Sequence, residues 1–568
     1  MFSYTYDFSI VMGYYNRRSQ TIRTLDKFAD TYKSYNYEVI IVDDNSNENH
    51  DLSDVISNYK FPINYIKISK EEKGKRLNPS SVYNRGFREA NGKIVIIQNP
   101  ECIHVGNLLE YVKKNLTTND YKSFSCYNCG SEELTLELLH DINKINNTEF
   151  NNNNTSLGLC WYNHPVIRPV HYHFCAAIHN DNLKLLGGFD EEYAKGHGYD
   201  DNELLLSIKN NLNLNIVSID PSEAGFVIHQ WHAREAENEA SSSIENKWWD
   251  SETIKKLVEV NKTLYENMLQ HHVLNTFDYP KLLHLYWDGS NFSYLNLLTV
   301  LSFNKYHKFW KINVFCPLNP VKGNSWKTGE QSDKYTGKNY FDDLKKIPNV
   351  NIHYIDFDNI PFSRKDASEV IKSDYFRLYI LNNYGGLWSD FDIVYTNSVE
   401  KYHNLRKKPH VRNMVIYRYW WKELNRYAIP IGLFLSNKNN SVLNTILKQI
   451  ERYYHPDYYQ CLGCQMFQHI FNKEHYNESK DVLKQMKLSE LWIEDAYCYL
   501  PAKWDELDML FKNPDIQPEK FETDPNVFGI HWFNGAKDAK DYCNSLNLDE
   551  LKTSEPVCLI DKLVKTYI

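Results

Sequence analysis

Short apolar runs that end abruptly in polar clusters recur along this chain, and they restrict it to sheet-based folds with their chemistry at strand ends. The first run, Phe8 to Met12, is followed by a helix-like stretch and then by Glu38-Val39-Ile40-Ile41-Val42, which stops at Asp43-Asp44-Asn45-Ser46. A strand over Ile63 to Ile68, a helix from Pro79 to Ala90, the turn Asn91-Gly92 and a strand over Lys93 to Gln98 continue the pattern. Strand and helix in alternation predict a parallel α/β sheet, whose ligands sit beyond the carboxyl ends of the strands.

The pattern then restarts. An amphipathic stretch from Ser243 to His272, carrying Trp248, Trp249, Ile254, Leu257, Val258 and Leu264, reads as a linker helix. After it come Lys281-Leu282-Leu283-His284-Leu285-Tyr286-Trp287, Ile312 to Phe315 and Val350 to Ile355 as further strands. With 568 residues the chain has room for roughly three units or for two large ones, and the pattern parses as 1–242, a helical linker over 243–277, and 278–568. The halves do not repeat each other in sequence, so they read as a fusion of distinct modules.

Composition removes whole classes of function. At 42% hydrophobic and 24% charged the chain is not a disordered one. With 64 basic against 73 acidic residues the net charge is -9, unsuited to coating nucleic acid, and no nucleic-acid partner is expected. Mean hydropathy is -0.58, no apolar run is long enough to cross a bilayer, and Met1 to Gly13 lacks a charged-then-apolar leader. These predict a soluble, unsecreted, cytoplasmic protein. The abundance of Asn, Tyr, Lys and Ile suits an AT-rich genome, bacterial or that of a large DNA virus, in which case the cytoplasm is the host's. The 11 cysteines are odd in number and scattered, which predicts reduced thiols. Two pairs, Cys126 with Cys129 and Cys461 with Cys464, have zinc-ligand spacing, but one lies in each half and buried thiols are the plainer reading. Asn151 to Asn154 predicts a surface loop. No GxxxxGK[ST], strand-following GxGxxG, HExxH or GxSxG is present, so triphosphatase, dehydrogenase, zincin and hydrolase readings lack support. Nothing in the sequence reports oligomeric state.

In the second half, Val370, Ile371, Phe376, Leu378, Tyr379 and Leu381 give the span Ala367 to Asn383 a helical rhythm, closed by Gly385-Gly386. Asp374 and Arg377 share a face of that helix. Leu387-Trp388 then lead a strand that exits at Asp390-Phe391-Asp392. Paired carboxylates hold a hard divalent cation, which neutralises a departing diphosphate, and an arginine clamps phosphate or sugar hydroxyls. Asp356-Phe357-Asp358 repeats the tripeptide without that context and reads as a strand exit.

The segment Ser373-Asp374-Tyr375-Phe376-Arg377 with Tyr384-Gly385-Gly386-Leu387-Trp388-Ser389-Asp390-Phe391-Asp392 resembles the DxD sugar-binding region of family 32 glycosyltransferases, shared with the large clostridial glucosylating toxins. Pro280 to Gly289 is similar to that family's first strand. The resemblance implies a GT-A-like, Rossmann-like nucleotide-sugar-binding domain with retaining chemistry. It implies Asp374, Arg377 and Asp390 on the donor, and Trp287 or Tyr286 packed on the base. Asp390 and Asp392 would ligate Mn or Mg, with His531 of Gly529 to Gly535 as a ligand or diphosphate contact. Core packing for Trp287 and a structural role for His531 are the alternatives. No nucleophile is assigned.

In the first half, Val11-Met12-Gly13-Tyr14-Tyr15-Asn16-Arg17 and Val42-Asp43-Asp44-Asn45-Ser46 resemble the first two strand ends of family 2 glycosyltransferases. This implies a second GT-A-like domain in which Gly13, Tyr15 and Asp44 hold the nucleotide; helix capping is the alternative for the Asp43-Asp44-Asn45 run. Arg76, in the basic stretch from Lys73, is a diphosphate candidate or part of a solvated loop. Where that family has Asp-x-Asp, this chain reads Ile97-Gln98-Asn99-Pro100-Glu101. Glu101 is a hard ligand and Asn99 a neutral one, which puts metal dependence here in doubt. His229 and His232, in His229-Gln230-Trp231-His232, can complete a Mn-like sphere. Gly187-Gly188-Phe189-Asp190-Glu191 and the span Gly196 to Leu204 resemble the family's acceptor-side pattern. They imply an inverting base at Asp201, with Asp200 or Glu203 as second choices, or else only an acidic helix start. His171, His173 and His179 read as acceptor-pocket or core residues rather than a zinc site.

The expected protein is a bifunctional glycosyltransferase with UDP-sugar donors, Mn or Mg, and a glycan or glycoconjugate acceptor. The alternatives are one active second module beside a glycan-binding first, a non-catalytic carbohydrate-binding scaffold, and a metal-dependent phosphohydrolase.

Overall fold

The computed structural model describes residues 2–74, 78–141, 160–232, 252–274, 277–321, 335–406, 413–422, 425–472 and 476–568. Arg76, Trp248, Trp249 and the run Asn151 to Asn154 lie outside them. The chain divides into two compact units, Ser3–His272 and one comprising Val273–Ile568.

The first unit is built on β1 (Tyr6–Tyr14), β2 (Tyr37–Asp43), β3 (Ile63–Lys67), β4 (Gly92–Gln98), β5 (Cys102–Val105), β6 (Asp120–Phe124), β7 (Cys126–Asn128), β8 (Cys160–Asn163), β9 (Cys175–His179), β10 (Asn215–Ile219) and β11 (Phe226–His229). Its main sheet has the order β3-β2-β1-β4-β9-β6-β10. β2 is buried over its whole length because α1 (Arg18–Thr31) packs on the side of Val39 and Ile41, and α2 (Ser80–Glu89) on the side of Ile40 and Val42. A strand covered on both faces reads as an unbroken apolar run. The sheet is mixed, not parallel as expected: β9 runs antiparallel to both β4 and β6. Strand direction is set by the connection, which an apolar run does not encode.

A small second sheet pairs β11 antiparallel with β5. Further along, α3 (Asp200–Asn210) follows a tight loop, and α4 (Glu252–Leu274) lies over that loop. Asn261 of α4 donates to the carbonyls of Tyr193 and Gly198 at 3.0 and 2.7 Å. The helix expected as a linker therefore docks in the first unit, while residues 243–251 lie outside the described ones.

The second unit contains β12 (Leu282–Tyr286), β13 (Lys311–Pro317), β14 (Val350–Ile355), β15 (Gly386–Ser389), β16 (Ile393–Tyr395), β17 (Met414–Trp421), β18 (Arg426–Ala428), β19 (Leu433–Ser436), β20 (Leu491–Asp495) and β21 (Gly529–His531). Helices α5 (Tyr294–Tyr306) and α6 (Glu369–Tyr384) flank its sheet. Asp356-Phe357-Asp358 is a strand exit, its first carboxylate accepting from the Asp358 N–H at 2.9 Å.

The two units share one strand plan. The second sheet runs β14-β13-β12-β15-β19-β17, and β20 joins β17 in parallel as β10 joins β6. β19 is antiparallel to β15 and β17, as β9 is to β4 and β6. The accessory pair β16 and β21 is antiparallel, as β5 and β11 are. Halves that do not repeat in sequence thus repeat in topology, since a strand plan tolerates any side chains that keep the burial pattern.

Candidate active sites

In the first unit, β1 and β4 are neighbours from which the chain departs to opposite sides, so a crevice opens at their carboxyl ends. Gly13 lies there, with the Tyr83 ring 3.3 Å from where a Cβ would stand. Asp43 and Asp44 divide the labour of the β2 end. Asp43 is buried, accepting from Ser46 N–H at 2.8 Å and Tyr65 hydroxyl at 2.5 Å, so it shapes the turn. Asp44 lies 3.4 Å from the Lys73 ammonium, which also sits 3.7 Å above the Tyr15 ring.

The run after β4 splits similarly. Gln98 is buried in the core, donating to Cys102 O at 2.7 Å and meeting His104 Nε2 at 2.5 Å. Asn99 turns its Oδ1 to the Tyr83 hydroxyl at 3.0 Å and its amide nitrogen to Glu101 at 3.4 Å. Glu101 Oε1 lies 3.1 Å from His229 Nε2 and 3.8 Å from His232 Nε2. The pairing of β11 with β5 sets this up by placing His229 opposite Cys102, beside Glu101. Burial pushes the Glu101 carboxyl up, but the His229 hydrogen bond and the charges of both histidines and Arg17 outweigh it and hold it at about 2. Among the described residues these three form the one trio whose ligand atoms all lie within 4.8 Å of one another. Two donors each about 2.1 Å from one ion are about 3.0 Å apart at a right angle, so the donor set fits a divalent ion.

On the acceptor side, the Asp201 carboxylate accepts from the His173 backbone N–H at 3.1 Å and lies 2.5 Å from His173 Nδ1. Burial works against a charged His173, yet the Asp201 and Asp200 carboxylates raise it above the ordinary histidine value. Asp200 is buried, and burial followed by the Asp201 charge pushes its carboxyl up. Glu203 faces inward instead, accepting from Ser207 Oγ at 2.6 Å and Asp190 N–H at 3.3 Å, which ties α3 to the Gly187-to-Glu191 loop. His179 closes β9, away from this pair.

The second unit's candidates line a cavity of about 850 Å³ that includes Tyr286, Trp287, Asp374, Arg377, Asp390, Asp392 and His531. Arg377 is buried between two carboxylates, 3.0 Å from Asp374 Oδ1 and 3.4 Å from Asp390 Oδ1, and donates to Ile431 O at 2.8 Å. Trp388 Nε1 donates to Asp390 at 3.0 Å. Phe391 pins the turn by packing edge-on against Trp287 and Phe292, and Asn296 of α5 donates to its carbonyl at 3.0 Å. Trp287 spends its N–H on Ser290 O, and the Tyr286 hydroxyl donates to Glu369 at 2.5 Å. Asp392 Oδ1 is 3.1 Å from His531 Nε2, and Oδ2 accepts from Asn534 N–H at 2.9 Å. Burial raises both carboxyls, but His531, Asn534 and Lys540 bring Asp392 down below the carboxylate range, whereas Asp390, with Asp392 beside it, stays raised despite Arg377. The buried Asp392 Oδ1 faces the imidazole of His531 alone, and a carboxylate oxygen beside an imidazole nitrogen is a donor pair that fits a cation.

Residues 9–175 match the family model for glycosyl transferase family 2. The first unit carries a glycosyl transferase family 2 domain. Residues 338–503 match the model for capsular polysaccharide synthesis protein, and the second unit carries that domain. The dolichol-phosphate mannosyltransferase of Pyrococcus furiosus is 28% identical over 110 residues, 18% of this chain; the chain spans 30% of that relative's length. Among solved structures, S. aureus TarS 1-349 in complex with UDP-GlcNAc is 13% identical, covering 47% of this chain and 73% of its own, with a TM-score of 0.28. The mannosyltransferase PcManGT from Pyrobaculum calidifontis in complex with GDP-Man and Mn2+ is 12% identical, covering 48% and 82%, with a TM-score of 0.27. No described helix is long and apolar enough to cross a membrane.

The family 2 match includes Gly13, Asp44, Asn99, Glu101 and His173 but stops short of Asp201 and His229, which only the fold brings to them. Two residues of the family 2 domain had no sequence signal of their own. Tyr83, fully buried, touches Gly13, Asn99 and the His173 ring. Asn84 clamps the acceptor loop, accepting from Phe189 N–H at 2.8 Å and donating to Phe189 O at 2.9 Å. In the other domain, the exposed Trp421 and Trp504 at the cavity were likewise missed.

Proposed function

We propose that the chain is a bifunctional glycosyltransferase with two GT-A-like units, each taking a nucleotide-sugar, UDP-sugars foremost, and passing the sugar to a glycan or glycoconjugate. The observation that carries this reading is a buried carboxylate paired with an imidazole at equivalent strand positions in both units, Glu101 with His229 and Asp392 with His531, each at 3.1 Å.

In the first unit the transfer is inverting and Asp201 is the base. His173 holds one Asp201 oxygen, which aims the other at an acceptor hydroxyl. The acceptor oxygen forms its bond to the anomeric carbon from the face opposite the diphosphate. The bond to the diphosphate breaks with its electron pair, and the hydroxyl proton passes to Asp201. Asp44 and the turn at Gly13 to Tyr15 hold the nucleotide.

In the second unit, family 32-like and retaining by resemblance, Asp374 and Asp390 meet the donor sugar and Arg377 fixes both. Glu101, His229 and His232, and Asp392 with His531 and the neighbouring Asp390, would hold a divalent ion, Mn or Mg, which would supply charge to neutralise the departing diphosphate.

The test is sugar transfer by the full chain with UDP-sugars and Mn. Asp201→Asn and Asp392→Asn should each remove one linkage and spare the other. A second reading, in which the first unit only binds glycan, is favoured by Asn99 standing where a carboxylate is usual. It requires Asp201→Asn to change no product. Release of sugar to water alone, with no acceptor product, would replace both readings by hydrolysis.

A further inference from the structure

The two carboxylate–imidazole centres occupy the same strand positions but are assembled from different donors. Gln230 N–H donates to Glu101 O at 3.1 Å and Trp532 N–H to Asp392 O at 2.8 Å, so the backbones around the two centres superpose in their hydrogen bonding. The residue two before the shared carboxylate differs: Asn99 in one unit, Asp390 in the other. So does the residue that holds it. The Tyr83 hydroxyl, on α2, lies 3.0 Å from Asn99 Oδ1; the Arg377 guanidinium, on α6, lies 3.4 Å from Asp390 Oδ1. Both holders sit equally far before the glycine that opens the next strand, Gly92 and Gly386. The exchange is matched in charge, a neutral hydroxyl on a neutral amide against a guanidinium on a carboxylate.

The match has a chemical result. With its Oδ1 turned to Tyr83, Asn99 presents an amide nitrogen toward Glu101, and that is no metal ligand. The first centre is left with one carboxylate and two imidazoles. His229 packs edge-on against both the Tyr162 and Phe174 rings, which also touch each other. The second centre sets the Asp392 carboxylate 3.1 Å from the His531 imidazole, with the Asp390 carboxylate beside them but outside the 4.8 Å within which the first trio converges. Mg2+ demands oxygen ligands in near-octahedral geometry, whereas imidazole suits first-row transition ions.

We propose, resting on the reading that both units hold a divalent ion, that the first centre takes a transition ion such as Mn2+ and rejects Mg2+. The Asn99–Tyr83 pair sets that selectivity, and the second centre accepts either ion.

Metal binding to the full chain, stripped with chelator, tests this without turnover. Calorimetric titration should count two Mn2+ and one Mg2+ per chain. Glu101→Gln and, because it is half-buried and safer for folding, His232→Ala should each remove one Mn2+ and leave Mg2+ binding unchanged. Asp392→Asn should abolish Mg2+ binding. Asn99→Asp should admit a second Mg2+. The Mn2+ lost in His232→Ala should carry nitrogen coupling in its electron spin resonance. Two Mg2+ in the wild type, or one still in Asn99→Asp, overturns the selectivity even if both linkages are still made. A Mn2+ count that Glu101→Gln leaves unchanged overturns the first centre itself, and loss of both linkages in the wild type under the same conditions separates failure of the functional reading.

Discussion

His531 stands beside Asp392 because β21 pairs with β16 in a register that puts His531 opposite Ile393, bringing Nε2 to 3.1 Å from the carboxylate. His531→Ala should therefore weaken Mn2+ binding at the second centre by about 10- to 100-fold, while the first centre keeps its affinity. Calorimetric titration of the full-length variant checks this.

Asp201→Asn keeps the size of the side chain and removes the carboxylate proposed as the base. Transfer by the first unit should fall by about a hundred- to ten-thousand-fold with the melting temperature nearly unchanged. Steady-state rates on the inverted product, beside a thermal scan, decide it. Glu203→Gln should behave oppositely, costing stability before activity, since its carboxylate ties α3 to the loop at Asp190.

His173 gives a pH dependence whose sign follows from its raised value. A raised basic group lends stability that is fully present below its unfolded value of about 6.5 and is lost as pH rises through the folded value. Urea midpoints should therefore decline across that interval in the wild type. In His173→Gln the decline should be smaller.

Gly432→Ala addresses the second centre without replacing any of its side chains. A Cβ there would stand 2.8 Å from Asp390 Oδ2, so the carboxylate must shift. Second-unit transfer should drop by about a hundredfold, the cost of a displacement near 1 Å, while first-unit transfer is retained. Product analysis on a shared acceptor mixture measures both at once.

Asn84→Ala removes both hydrogen bonds that hold Phe189, leaving a buried N–H and C=O unpaired. The first unit should lose about 1–3 kcal/mol per orphaned group, read from denaturant unfolding. Gly188 belongs to the same clamp: at φ +77 its missing Cβ leaves room for the Asn84 amide, which would otherwise be 2.1 Å away.

The strand ends were legible because apolar runs ending in Asp44, Glu101 or Asp392 are local patterns. Pairing a late histidine with an earlier carboxylate needed the resemblance, because nothing near His229 or His531 refers to β5 or β16. Tyr83, Asn84 and Asn296 were not legible at all. Each is a polar residue inside a helix whose partner is an atom of a distant loop, and helical periodicity describes only which face it occupies. The direction of β9, and the choice among Asp200, Asp201 and Glu203, likewise depend on contacts that only the assembled sheet provides.

Each centre joins a carboxylate from the middle of its unit to a histidine from the unit's last strand, β11 or β21. During synthesis the carboxylates leave the ribosome long before their partners do. A nascent chain stopped short of Gly529 would possess every strand of the second main sheet and still lack the imidazole of its centre. The order of translation thus makes the pairing of Asp392 with His531 the last step in assembling that centre, and a chain cut short there would keep its carboxylate without the imidazole.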